Sequence, residues 1–147
     1  MTFPGRPQLP TIDVQEAAAA AGGGSVIDSG PGTAGGTGVA AAGPGAAATP
    51  APLLVDVRER NEFIEVRAPG AVLYPTSSFL LRFEDLPRDR PLYVLCNSGS
   101  RSAAVTAWLL RNGWSDVHNV AGGMTAWVRA GLEVRRGPLA PGEGDLA

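Results

Sequence analysis

Cys96 is the only cysteine of the chain, and it opens the segment Cys96-Asn97-Ser98-Gly99-Ser100-Arg101-Ser102. The apolar run before it predicts a strand, and the pattern after it predicts a helix. Backbone N–H groups at a helix start lack partners within the helix, and they and the helix dipole favour a thiolate. Arg101 adds a full positive charge. We therefore expect a lowered cysteine pKa and a nucleophilic thiolate, with a buried structural cysteine as the alternative.

Short apolar runs and amphipathic segments alternate around the cysteine. Strands are predicted at residues 53–57, 71–74, 92–95 and 117–120, and helices around 59–64, 77–83, 102–112 and 124–130. A short extended piece at 11–13, followed by a helix capped by Thr11 or Asp13, precedes them. Strands separated by helices predict an α/β fold with a parallel sheet.

Four blocks of the chain resemble the rhodanese family of sulfurtransferases. They are residues 53–59 with Glu62-Phe63, then Pro69-Gly70-Ala71, the segment 96–102, and residues 122–127. The resemblance implies a three-layer α/β fold with a central parallel sheet flanked by helices. One departure is Arg67, which lies where the family usually has a histidine.

The resemblance also implies a reaction. Cys96 would take the outer sulfur of a small anionic donor such as thiosulfate, and the resulting persulfide would pass it to a thiol, cyanide or protein acceptor. Neither a cofactor nor a metal is expected. The substrate-binding residues would be those that follow the cysteine in the loop: Asn97, Ser98, Gly99, Ser100, Arg101 and Ser102. Their amides would stabilise the thiolate and the persulfide.

Charged residues after the first core strand are expected near the same sheet edge. Arg58 is interpreted either as a second substrate-binding cation at the rim or as a surface ion-pair partner of Glu59 or Glu62. Asp56 is interpreted as structural support. Arg101 would hold an anionic donor, or pair with a carboxylate such as Asp56, or do both. The sole histidine, His118, is expected to be an ordinary strand residue.

Two other functions stay open. Related phosphatases and arsenate reductases have five residues between cysteine and arginine and tend to have a histidine before the cysteine. Here four residues separate Cys96 from Arg101, and Leu95 precedes the cysteine, so a thiol-dependent phosphatase or arsenate reductase is less favoured. The other alternative is a catalytically quiet rhodanese module that binds a partner.

The chain length of 147 residues suits one domain. We predict a first strand and helix at 9–21, a flexible insertion at 22–51, a catalytic core at 52–134 and a disordered tail at 135–147. The insertion is predicted because Gly, Ala and Pro dominate it and few large apolar side chains interrupt them.

The net charge and composition limit the kinds of partner and the location that we expect for the protein. The net charge of −2 comes without a basic stripe, so we expect neither nucleic acid nor membrane surfaces as partners. One cysteine cannot form an internal disulfide, and the first residues lack the pattern of a signal peptide. A cytoplasmic location is therefore expected.

Overall fold

The computed structural model describes residues 9–22 and 50–146. Apart from its two ends, the insertion predicted at residues 22–51 lies outside the described residues. Within the described residues, no helix is both long and apolar enough to cross a membrane.

In the described part of the chain, five short strands form one parallel sheet in the order β1-β5-β4-β2-β3. The strands are β1 (Thr11–Ile12), β2 (Leu53–Asp56), β3 (Val72–Leu73), β4 (Leu92–Leu95) and β5 (Val117–Val120). β4 lies at the centre, between β5 and β2, so its carboxyl end is enclosed by neighbouring elements. The predicted central parallel sheet is confirmed.

Helices connect the strands. They are α1 (Val14–Gly22), α2 (Arg60–Glu65), α3 (Phe79–Arg82), α4 (Ser100–Arg111) and α5 (Gly123–Arg129), and two 3-10 turns, Thr76–Ser78 and Phe83–Asp85, flank α3. Asp13 caps α1, because its carboxylate accepts the Glu16 N–H at 2.8 Å.

The helix after β4 begins at Ser100, two residues before the predicted start. Gly99 makes this possible, because it adopts a φ of +108° that other residues rarely tolerate and turns the chain directly into the helix. Arg101 and Ser102 therefore belong to the first helical turn, and their side-chain directions are set by α4.

Helices cover both faces of the sheet. Alternate residues of β2 and β4 enter two separate clusters of buried apolar side chains. One cluster includes Leu92 and Val94 with Val105 and Leu109 of α4. The other includes Leu54 and Leu95 with residues of α1 and α5: Val14, Ala17, Met124 and Trp127. This is the three-layer arrangement that the resemblance implies.

The prediction of a disordered tail is wrong for residues 135–146. The buried Arg67 side chain donates to the Glu143 carboxylate at 2.6 Å and to the Gly137 carbonyl at 2.8 Å. The Leu73 N–H, on the edge strand β3, donates to the Gly144 carbonyl at 2.8 Å. The composition of the tail favours disorder, but a buried guanidinium and an unpaired strand edge supply partners that composition does not show. Arg67, which replaces the family's usual histidine, is thus a structural residue that holds the tail.

Candidate active site

Cys96 directly follows β4, and its side chain is fully buried. The Gly99 N–H donates to Sγ at 3.1 Å, and the Ser102 hydroxyl lies 3.4 Å from Sγ. Burial alone raises the pKa of Cys96. Hydrogen bonds from the Ser102 side chain and from the backbone N–H groups of Ser102, Gly99 and Ser98 outweigh burial, and the pKa lies below its ordinary value. The geometry therefore favours a thiolate.

The Gly122-Gly123 turn forms the support beneath the loop. The N–H groups of Met124 and Thr125 donate to the carbonyls of Cys96 and Asn97 at 2.8 and 3.0 Å. A Cβ at Gly123 would collide with the Cys96 carbonyl oxygen, and Gly123 also has a φ of +54°. The close approach of two backbones thus requires glycine at this position.

Arg101 pairs with Glu62, a carboxylate other than the expected Asp56. Its two terminal nitrogens donate to the two Glu62 carboxylate oxygens, each at 2.9 Å. Glu62 also accepts the Glu59 N–H at the start of α2, which fixes its carboxylate in place. The hydrogen bond from Arg101 is the largest cause that lowers the pKa of Glu62, to about 2. The ion pair joins the first turn of α4 to α2.

Arg58 does not form a substrate-binding rim, and it does not pair with the side chain of Glu59 or Glu62. Its guanidinium is buried, donates to both carboxylate oxygens of Asp56, and donates further to the carbonyls of Glu62 and Val66. The structure therefore agrees neither with a substrate-binding cation at the rim nor with a surface ion pair to Glu59 or Glu62. Asp56 also accepts the Arg58 N–H at 2.9 Å. Burial raises the pKa of Asp56, and the hydrogen bonds from Arg58 oppose that shift. The pair joins the end of β2 to α2.

Asn119 is a residue of the site that the sequence analysis did not identify. Its Oδ1 lies 2.5 Å from the Ser102 hydroxyl oxygen, and its Nδ2 donates to the Gly99 carbonyl at 3.4 Å. Both Asn119 and Ser102 are buried. The sequence did contain a signal for Asn119: it is a polar residue in a predicted buried strand, and such a residue needs a hydrogen-bond partner.

The remaining polar side chains of the loop lie at the surface. Asn97, Ser98 and Ser100 are exposed, and the hydroxyl oxygens of Ser98 and Ser100 are 3.4 Å apart. His118 lies on β5 and bonds to Asp116 at 2.8 Å, so the structure does not bring it to the loop. The described part of the chain contains no group of three or more histidine, cysteine, aspartate or glutamate residues suited to a metal.

Comparisons with known proteins agree with this architecture. The model of the rhodanese-like domain matches residues 45–130. A sulfurtransferase of Allochromatium vinosum is 37% identical over 82 residues, which is 56% of this chain and 77% of that protein. A thiosulfate sulfurtransferase of Actinobacillus succinogenes is 35% identical over 80 residues, covering 54% of this chain and 72% of that protein.

A solved structure has the same fold. The rhodanese-related protein of Thermoplasma volcanium superimposes with a TM-score of 0.54 at 32% identity, covering 57% of this chain and 83% of that one. The family model spans more than half of the chain, including β2 to α5 and the Cys96 loop. The chain therefore belongs to the rhodanese-like domain family.

Proposed function

We propose that this protein is a sulfurtransferase that carries a sulfane sulfur as a persulfide on Cys96. The observation that supports this most is the position of Sγ, which accepts the Gly99 N–H at 3.1 Å at the end of the central strand. Fixed donors of this kind lower the pKa of Cys96 and stabilise the thiolate, which is the nucleophilic form of cysteine.

The proposed reaction has two steps. In the first, the Cys96 thiolate attacks the outer sulfur of thiosulfate, a new S–S bond forms, and the bond to the inner sulfur breaks. Its electron pair leaves with sulfite, and the persulfide carries the negative charge on its terminal sulfur. In the second, an acceptor thiolate or cyanide attacks the terminal sulfur, and the electron pair of the S–S bond returns to Sγ.

Backbone donors carry most of the proposed anion binding. Arg101 is already engaged by Glu62 through two hydrogen bonds, and Arg58 is engaged by Asp56. A donor anion would therefore meet the N–H groups of the loop first and share Arg101 with Glu62. Because Sγ is buried, the donor would approach it from the solvent side of the loop, where the side chains of Asn97, Ser98 and Ser100 are exposed. Small donors are thus favoured.

Phosphate or arsenate chemistry is a weaker candidate on the same geometry. Four residues separate Cys96 from Arg101, whereas the related phosphatases and arsenate reductases have five, so the loop is short for a phosphate or arsenate ion. A quiet binding module would not require a hydrogen-bonded thiol with a lowered pKa.

One set of assays separates these functions. Wild type and Cys96→Ser would be compared for thiocyanate formation from thiosulfate and cyanide, and for turnover of arsenate and an aryl phosphate. We expect thiocyanate from the wild type only and no turnover of the other two substrates. Turnover of the aryl phosphate or arsenate would contradict the proposal. Absence of all activity, with several sulfane donors tried, would favour the binding module.

A further inference from the structure

The Ser102 hydroxyl lies between two acceptors. Its oxygen is 2.5 Å from Asn119 Oδ1 and 3.4 Å from Cys96 Sγ. A serine hydroxyl has one hydrogen, so Ser102 donates to only one of these partners at a time. The 2.5 Å distance to Asn119 is short for an O–H···O bond, so Asn119 is the closer of the two possible acceptors of this hydrogen.

The orientation of the Asn119 amide is fixed by the loop. Its Nδ2 faces the Gly99 carbonyl, and a reversed amide would place two oxygens against each other there. Oδ1 therefore faces Ser102 and can only accept. Gly99, whose carbonyl holds the amide, also supplies the N–H that bonds to Sγ.

We infer that Asn119 is a positioning residue that competes with Cys96 for the single hydroxyl hydrogen of Ser102. With a neutral thiol, the Cys96 S–H donates to Ser102 Oγ, and Ser102 donates to Asn119. With a thiolate, the sulfur is an acceptor only, and the Ser102 hydrogen turns to it. Asn119 thus stabilises the uncharged sulfur and limits how far the thiol ionises.

The same exchange would accompany sulfur transfer, and this part of the inference rests on the proposed function. In the persulfide, Sγ is uncharged and the negative charge lies on the terminal sulfur. Ser102 would then return its hydrogen to Asn119. When the acceptor removes the sulfur, charge reappears on Sγ and the hydrogen turns back. Asn119 therefore gives Ser102 a partner in the step where Sγ no longer needs one, so that no buried hydroxyl is left unpaired.

Four charged groups of the neighbouring elements must stay constant in a test. They are Arg101 on α4, Glu62 on α2, and the buried pair Asp56 and Arg58 after β2. Each is paired with another of the four, and none bonds to Asn119 or Ser102 among the described contacts. Neutral substitutions at Asn119 leave this set of charges intact.

The test measures the pH midpoint of Cys96 alkylation by iodoacetamide, which requires no sulfur transfer. A failure here is therefore distinct from a failure of the proposed function. The variants are Asn119→Leu, Ser102→Ala and the double variant, with His118→Gln as the matched control on the same strand. If Asn119→Leu does not fold, as judged by circular dichroism, Asn119→Ala replaces it.

We expect Asn119→Leu to lower the midpoint by about half to one pH unit, the range of one net hydrogen bond. Ser102→Ala should raise the midpoint. The double variant should have the same midpoint as Ser102→Ala, because Asn119 acts only through the Ser102 hydroxyl. His118→Gln should leave it unaltered. An unchanged or higher midpoint in Asn119→Leu would overturn the inference. The inference would also be overturned if Asn119→Leu lowered the midpoint equally in the wild-type protein and in Ser102→Ala.

Discussion

Glu62→Gln tests whether the carboxylate that holds Arg101 stabilises the fold. In the folded protein the pKa of Glu62 falls from 4.5 to about 2. At about 1.4 kcal/mol for each pH unit, this corresponds to roughly 3 kcal/mol at neutral pH. The Arg101 side chain is 38% exposed, so solvent screens the pair and about 1 to 2 kcal/mol is the reasonable expectation.

The pH dependence has a defined sign. A carboxyl group with a lowered folded pKa contributes its full stability above its unfolded pKa, which is 4.5 for Glu62. That contribution is lost as pH falls from there towards 2. The difference in unfolding free energy between wild type and Glu62→Gln should therefore be largest from pH 5 to 7 and shrink towards pH 3.

Urea unfolding at several pH values would measure this difference. Glu65→Gln is the matched control, because Glu65 is an exposed residue of the same helix. It should change the free energy of unfolding by less than about 0.5 kcal/mol. Equal stability of wild type and Glu62→Gln at pH 7, or a difference that does not vary with pH, would refute the reasoning.

Three further substitutions have expected outcomes. Gly123→Ala should cost more than about 2 kcal/mol in urea unfolding, because its Cβ meets the Cys96 carbonyl and its φ is strained. Thr106→Val should raise the unfolding free energy by about 1 kcal/mol, since the buried Thr106 hydroxyl has no hydrogen-bond partner among the described residues; a decrease would contradict this. Arg67→Met should speed amide exchange at Leu73, whose partner lies in the tail, and unchanged exchange would contradict the tail's attachment.

The sheet could be predicted because its signals are local. Apolar runs with intervening helical patterns identified the central strands, and the predicted bounds of β4 and β5 match the structure. The strand-to-helix position of Cys96 was also predictable, because it depends on consecutive residues. Its role as nucleophile stays a prediction.

The ion pairs could not be predicted, because their partners are distant in sequence. Arg101 and Glu62 are 39 positions apart, and Arg67 and Glu143 are 76 apart. Its neighbours in the sequence alone favour interpreting Arg58 as a surface cation. Burial of Arg58 depends on the carbonyl of Val66 at the end of α2, which tertiary packing brings into reach.

The central claim is that Cys96 carries the transferred sulfur. Intact-mass measurement after incubation with thiosulfate tests it most directly, without an acceptor. We expect a mass increase of about one sulfur atom in the wild type, removed by a thiol reductant and absent in Cys96→Ser. An unchanged wild-type mass with folded protein, or an equal increase in Cys96→Ser, would contradict it.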